Sequence, residues 1–275
     1  MRPAPRTVFL FLVLIALALV RPAIGQTTPV TVIAEPRVPP DASADFTRAV
    51  DLTLQFFRET YTLDLTRSIR VLLVPDAAAY AGVMIREWNI TQTEADRRVR
   101  TTSGWTTGTT IIINVANTTT RRARLFLASH ELTHQYQIQI SAPAGAWTLY
   151  WLTEGVADVI GARMVDRGGA GAMADTRQTW IDALRRAPTR PDLNEIVTEP
   201  SWFAALTVHG SGVTYRYAGM AALYLAETRG YPPLMGFFAA LRDNRERAPA
   251  FQRAAGITLE DFTTDYKAHL DRLLQ

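Results

Sequence analysis

The chain has 275 residues, 48% of them hydrophobic, a formal charge of +3 and no cysteine. That length and composition exclude a disordered chain and a small disulfide-held scaffold, because a chain this long buries an adequate core without cross-links. Arg2, Arg6 and Arg21 account for the positive charge, so the remainder is close to neutral and gives no reason to expect a nucleic-acid partner.

Arg2 and Arg6 precede an apolar run from Val8 to Val20, and Ala23-Ile24-Gly25 supplies small residues at a cleavage-site spacing. This is the pattern of a secretion signal over residues 1–25, cleaved before Gln26. The run is short for a bilayer span, so a membrane anchor is expected only if the segment is retained. The expected location is secreted or extracytoplasmic. No cysteine is present to carry a lipid.

Residues 26–41 are rich in Pro and Thr and predict an extended leader. From Ser43 to Tyr61 the chain reads as a helix, with Phe46, Val50, Leu54 and Phe57 at helical spacing. Ile69–Val74 predicts a strand stopped by Pro75, and Asp76 caps a helix reaching Trp88. Residues 89–102 are polar and carry no clear pattern. The β-branched run Ile111–Val115 predicts a strand. Two arginine clusters, Arg97-Arg98-Val99-Arg100 and Arg121-Arg122-Ala123-Arg124, are short and read as solvated surface.

Residues 120–140 contain neither Gly nor Pro and predict a helix carrying His130-Glu131-Leu132-Thr133-His134. Residues four apart on a helix lie about 40° from each other, so His130 and His134 can aim at one point, as two zinc ligands must. Glu131 projects on the same flank, placed to hold a water and not to ligate. Leu125, Ala128, Leu132 and Tyr136 form an apolar stripe on the far side. Buried histidines and a glutamate need a partner, and a metal supplies one. With no cysteine, any zinc site is limited to His and carboxylate ligands.

Beyond a loop at 141–148 comes Trp151-Leu152-Thr153-Glu154-Gly155-Val156-Ala157-Asp158. Glu154 and Asp158 share a helix face, while Gly155, Ala157 and Gly161 thin the surface for close helix approach. Trp147, Tyr150 and Trp151 read as packing. Glycines at 168–171 break the chain, and residues 188–200 are irregular and border the cleft in one reading. From Val213 the pattern is helical to the end, through Tyr215–Leu225 and a glycine stop at Gly230.

The two motifs together resemble the gluzincin, thermolysin-like metallopeptidases, specifically the peptidase MA-like domains, over roughly residues 42–270. The resemblance implies that Glu154 is the third zinc ligand beside His130 and His134. Three protein ligands leave a position open, as in catalytic zinc sites. It places Asp158 behind a ligating imidazole, where it can accept the spare ring N–H of His130. It implies that a strand around 109–115 lines the cleft and pairs with extended substrate; an interior strand is the equal alternative. No G-x-M-E-N motif is present, so aminopeptidase action is not expected.

The fold implied is α+β, a thermolysin-like zincin. Its catalytic domain, 42–275, comprises an N-terminal lobe of mixed sheet and helices (about 42–140) and a helical C-terminal lobe (about 141–275). The activity implied is hydrolysis of peptide or protein substrates with Zn2+ as cofactor and Glu131 as general base. A donor opposite the metal is expected, with Tyr215 the first candidate, His209 the alternative, and Tyr217 core. Two other functions stay open: an exported binding or scaffold domain without turnover, and a zinc hydrolase of a non-peptide amide.

Overall fold

The computed structural model describes residues 30–143, 145–243 and 245–275. The expected secretion signal lies outside them. Among the described residues no helix is long and apolar enough to cross a membrane.

The architecture is α+β. Strands β1 (Val30–Ala34), β2 (Ile69–Val74), β3 (Gly104–Thr107) and β4 (Thr110–Asn114) form one sheet in the order β1-β2-β4-β3. The first three in that order are parallel, and β3 is antiparallel to β4. Parallel neighbours need crossovers. Helix α1 (Pro40–Tyr61) makes the first, and α2 (Ala77–Trp88) with α3 (Gln92–Thr101) lies on the second. The expected leader is therefore sheet from Val30 onward, and the first helix begins at Pro40. Prolines at a helix start cost nothing, since the N–H they lack would have no partner there.

Strand β4 is buried on both faces, which explains its unbroken isoleucines. Ile111 and Ile113 face the main core with Val71 and Leu73, while Ile112 faces a smaller core under α2 and α3 with Tyr80 and Met84. Asp76 caps α2 through the Ala79 N–H at 2.9 Å, as the sequence indicates. The polar stretch at 89–102 folds into α3, capped by Thr91.

The second half is helical. It contains α4 (Arg121–Ser141), α5 (Tyr150–Arg167), α6 (Met173–Arg186), α7 (Glu199–His209), α8 (Ser211–Arg229), α9 (Pro232–Asp243), α10 (Arg247–Ala255) and α11 (Leu259–Leu274). Helix α4 packs its apolar stripe against α1, where Tyr136 stacks on Phe57 with ring centroids 3.7 Å apart. Helix α5 is buried along nearly its whole length between α4 and α8. Its glycines permit this. A Cβ at Gly155 would run into the Ala218 carbonyl on α8, and one at Gly161 would lie 2.9 Å from the Phe126 carbonyl on α4.

Candidate metal centre

Two helices bring the donors together. Thr120 caps α4, and the stripe Leu125, Ala128, Leu132 and Tyr136 is fully buried, which turns His130 and His134 toward α5 and Glu131 toward β3. The first turn of α5 is held by residues outside it: the Tyr150 and Trp151 N–H groups donate to the Val197 and Ile196 carbonyls at 2.8 and 3.2 Å. This sets the depth at which Glu154 enters.

The His130 and His134 Nε2 atoms are 3.1 Å apart, and Glu154 Oε2 lies 3.3 Å and 3.7 Å from them. All three residues are buried, and together they could hold a metal ion. Tetrahedral zinc with bonds of about 2.0–2.2 Å requires donor–donor edges of about 3.3–3.6 Å. The triangle fits that requirement.

The outward ring nitrogens fix the tautomers. His130 Nδ1 lies 2.9 Å from Asp158 Oδ1. His134 Nδ1 lies 2.7 Å from Gln137 Oε1, and the Gln137 amide donates to the Thr153 carbonyl at 2.9 Å. A backbone carbonyl can only accept, so the Gln137 amide nitrogen must face it, and its oxygen must face His134. Each Nδ1 thus carries a proton, and each Nε2 is left to the shared point.

Without metal, a proton serves the same purpose. Burial pulls the His130 imidazole down, but its hydrogen bonds to Asp158 and Glu154 outweigh burial and hold it well above the ordinary range. Burial, opposed by Glu154 and aided by the His130 charge, pushes His134 down to about 4. Burial works to raise Glu154, and the two imidazoles more than offset it. Asp158 is raised by burial, with His130 opposing.

Glu131 stands beside the triangle. Its Oε2 accepts a 2.6 Å hydrogen bond from the Thr106 hydroxyl on β3. Gly104 makes that approach possible, since a Cβ there would sit 2.5 Å from Glu131 Oε1. Burial pushes the Glu131 carboxyl up to about 7, against the opposing effects of His130 and Thr106.

A cleft with two arms passes the centre. One arm, about 210 Å³, is bounded by Arg98, Trp105, Trp147, Glu199 and Phe203. The other, about 360 Å³, is bounded by Phe126, Leu127, Trp180 and Arg216. His130, Glu131, Gly104 and Tyr215 line both. Tyr215 is half-buried, its ring centroid 6.3 Å from that of His130, and burial pushes its phenol upward, so it stays a donor.

The structure does not bring His209 to the centre. It pairs with Thr189 at 2.8 Å near the end of α7 and lines neither arm. Tyr217 is buried in the core against Tyr266. Of the three aromatics expected to pack, Trp151 and Tyr150 are buried in the core, Trp151 stacked on Phe262 and Tyr150 against Trp202. Trp147 is 37% exposed, with its ring centroid 5.0 Å from that of His134, and Tyr150 also lines the cleft.

The strand question resolves in favour of the interior alternative. Thr110–Asn114 is paired on both sides, whereas β3 is the edge strand and lines the cleft. Sequence reasoning missed Gln137, whose i,i+3 spacing from His134 is a usable signal. It also missed Gly104, Thr106, Trp180 and Arg216, which reach the centre only through tertiary packing. Comparison with protein-family models, with curated proteins and with solved structures returns no match.

Proposed function

We propose that this chain is an exported zinc-dependent peptide hydrolase of the gluzincin kind, with a thermolysin-like cleft between a sheet-bearing and a helical lobe. One observation carries the reading. Two imidazole nitrogens and a carboxylate oxygen converge within 3.1 to 3.7 Å, while a second carboxylate, Glu131, is held beside them by Thr106 and stays out of the donor set. A purely structural site has no use for that second group.

His130, His134 and Glu154 would hold the ion, and a His/His/carboxylate set suits zinc. When bound, zinc supplies Lewis acidity, polarising a carbonyl and acidifying water. Glu131 takes the proton of the attacking water at the oxygen that Thr106 does not hold, then delivers it to the leaving amine. Tyr215 donates its hydroxyl to the oxygen that gains charge. The free edge of β3 offers backbone groups to an extended peptide.

The test is metal analysis and peptide-library digestion with the purified protein, with and without chelator. One zinc per chain and chelator-sensitive cleavage are expected. Glu131→Gln should keep zinc and abolish turnover, and Tyr215→Phe should lower kcat by about 10²–10³ with zinc retained. Folded protein that takes up no stoichiometric metal would sink the proposal. Zinc binding with cleavage of cell-wall fragments but no peptides would change the substrate class.

A further inference from the structure

The two cleft arms differ in charge. Arg98, in the smaller arm, is already satisfied: its guanidinium donates to Glu94 at 2.7 Å and lies 3.7 Å over the Trp105 ring. The same arm holds the carboxylate of Glu199. In the larger arm, Arg216 on α8 is half-buried and makes no hydrogen bond or ion pair among the described residues. Asp158 feels its charge, but is engaged with His130 and stands beyond ion-pair distance of Arg216.

Apart from Arg216 the arm is lined partly by polar groups, among them Thr101, Thr102, Ser103 and Asp158, and partly by an apolar wall. Phe126 and Leu127 come from α4, and Trp180 comes from α6. Trp180 reaches the cleft because α8 presents Gly219 there, where a Cβ would lie 3.1 Å from the indole. The arm opens directly onto His130 and Glu131. A guanidinium carries five donors in a planar fork that matches a carboxylate, and drier surroundings strengthen such pairing. The space at about 360 Å³ accommodates a side chain of ordinary size.

We infer that the Phe126–Trp180–Arg216 arm selects a carboxylate borne on a short apolar stem, next to the bond that is cleaved. The carboxylate pairs with Arg216 and the stem lies between Phe126, Leu127 and Trp180. Two sources present this chemistry: an acidic side chain within a peptide, or the free carboxyl terminus of one. The inference rests on the peptidase reading for its position beside a scissile bond, but not for the carboxylate site itself.

The experiment compares matched peptides carrying Glu, Gln or Lys at each position flanking the cleavage point, with amidated or free termini, on the zinc-loaded full chain. Glu should be favoured over Gln in kcat/KM by about tenfold or more, the range of a charge-assisted hydrogen bond. Arg216→Met, which keeps the apolar stem, should bring that ratio toward one, and Arg216→Glu should turn the preference to Lys. If the preference appears only with a free terminus, the chain end is the source. An equal Glu-to-Gln ratio in wild type, or one unchanged in Arg216→Met and Arg216→Gln, overturns the inference while leaving the peptidase reading intact.

A second arm does not depend on cleavage. Binding of N-acetylglutamate against N-acetylglutamine to the metal-free full chain is measured by titration calorimetry, for wild type and Arg216→Met. Wild type should prefer the acid and the variant should lose that preference. If peptides are not cleaved yet this holds, the peptidase reading fails and the carboxylate site stands. No preference in either assay removes the site.

Discussion

Each histidine of the centre is held from behind, and the two holders differ in charge. Asp158 brings a carboxylate to His130, whereas Gln137 brings a neutral amide to His134 and passes the load to the Thr153 carbonyl. An outer partner of this kind typically accounts for about 10- to 100-fold in metal affinity. Gln137→Leu keeps the bulk but strands a buried Nδ1–H, so zinc affinity should fall within that range. Gln137→Glu restores an acceptor and should recover part of it. Competition against a chromophoric chelator reads both, and a Gln137→Leu protein that binds zinc as tightly as wild type would show that the amide exerts no hold. Asp158→Asn, which removes charge but not the acceptor, belongs in the same series.

Helix α3 shows what an element adds that its sequence concealed. Its residues are polar; within the helix Glu94 clasps Arg97 and Arg98 at 2.7 Å each, and Arg98, so oriented, lies over Trp105 on β3 and ties the helix to the cleft. The Arg97 hydrogen bond is the chief cause that holds the Glu94 carboxyl down at about 2, with burial opposing and Arg98 helping. The folded value is below the ordinary one of 4.5, so this clasp stabilises the fold above that pH and is lost as pH falls toward about 2. Between those values the urea midpoint of wild type should fall more steeply than that of Glu94→Gln. The effect should be small, because the group is at the surface. Parallel slopes would show that the clasp contributes nothing. Helix α7 was hidden for a different reason. Pro200 sits in the first turn of α7 and breaks the apparent pattern, although a capping box of Thr198 and Ser201 marks that start.

At the scale of the molecule, the centre ties α4 to α5, and through Thr106 it reaches the sheet. An ion bound only by the folded chain stabilises it by mass action. At about 100 times the dissociation constant this amounts to about 2.7 kcal/mol, or a rise in Tm of roughly 5–10 °C for a chain of this size. Adding zinc to the chelated protein should therefore raise Tm by that amount, and His134→Ala should abolish the rise. An unchanged Tm in wild type would mean that the triangle holds no ion in solution.

The donor set was legible because helix geometry is local. An i,i+4 pair on a run without breakers must share a face, as Glu154 and Asp158 do one helix later, while Glu154 was expected beside the histidines through the motif resemblance. Strand β2 and the capped start of α2 were legible for the same kind of reason: Val74 to Asp76 states its own stop and start. What surrounds the donors was not. Thr106 reaches Glu131 only because β3 folds back on β4 through Gly108, at φ 54°, and because Gly104 has no side chain. Trp147 meets His134 through a loop, and Trp180 on α6 and Arg216 on α8 come to line one arm of the cleft. No periodicity records such meetings. The sequence by itself determined that His130 and His134 aim at one point and which carboxylate was to join them. Only the packing of helices and sheet decided which groups hold them, because contacts between distant segments are set by the shape of the whole core.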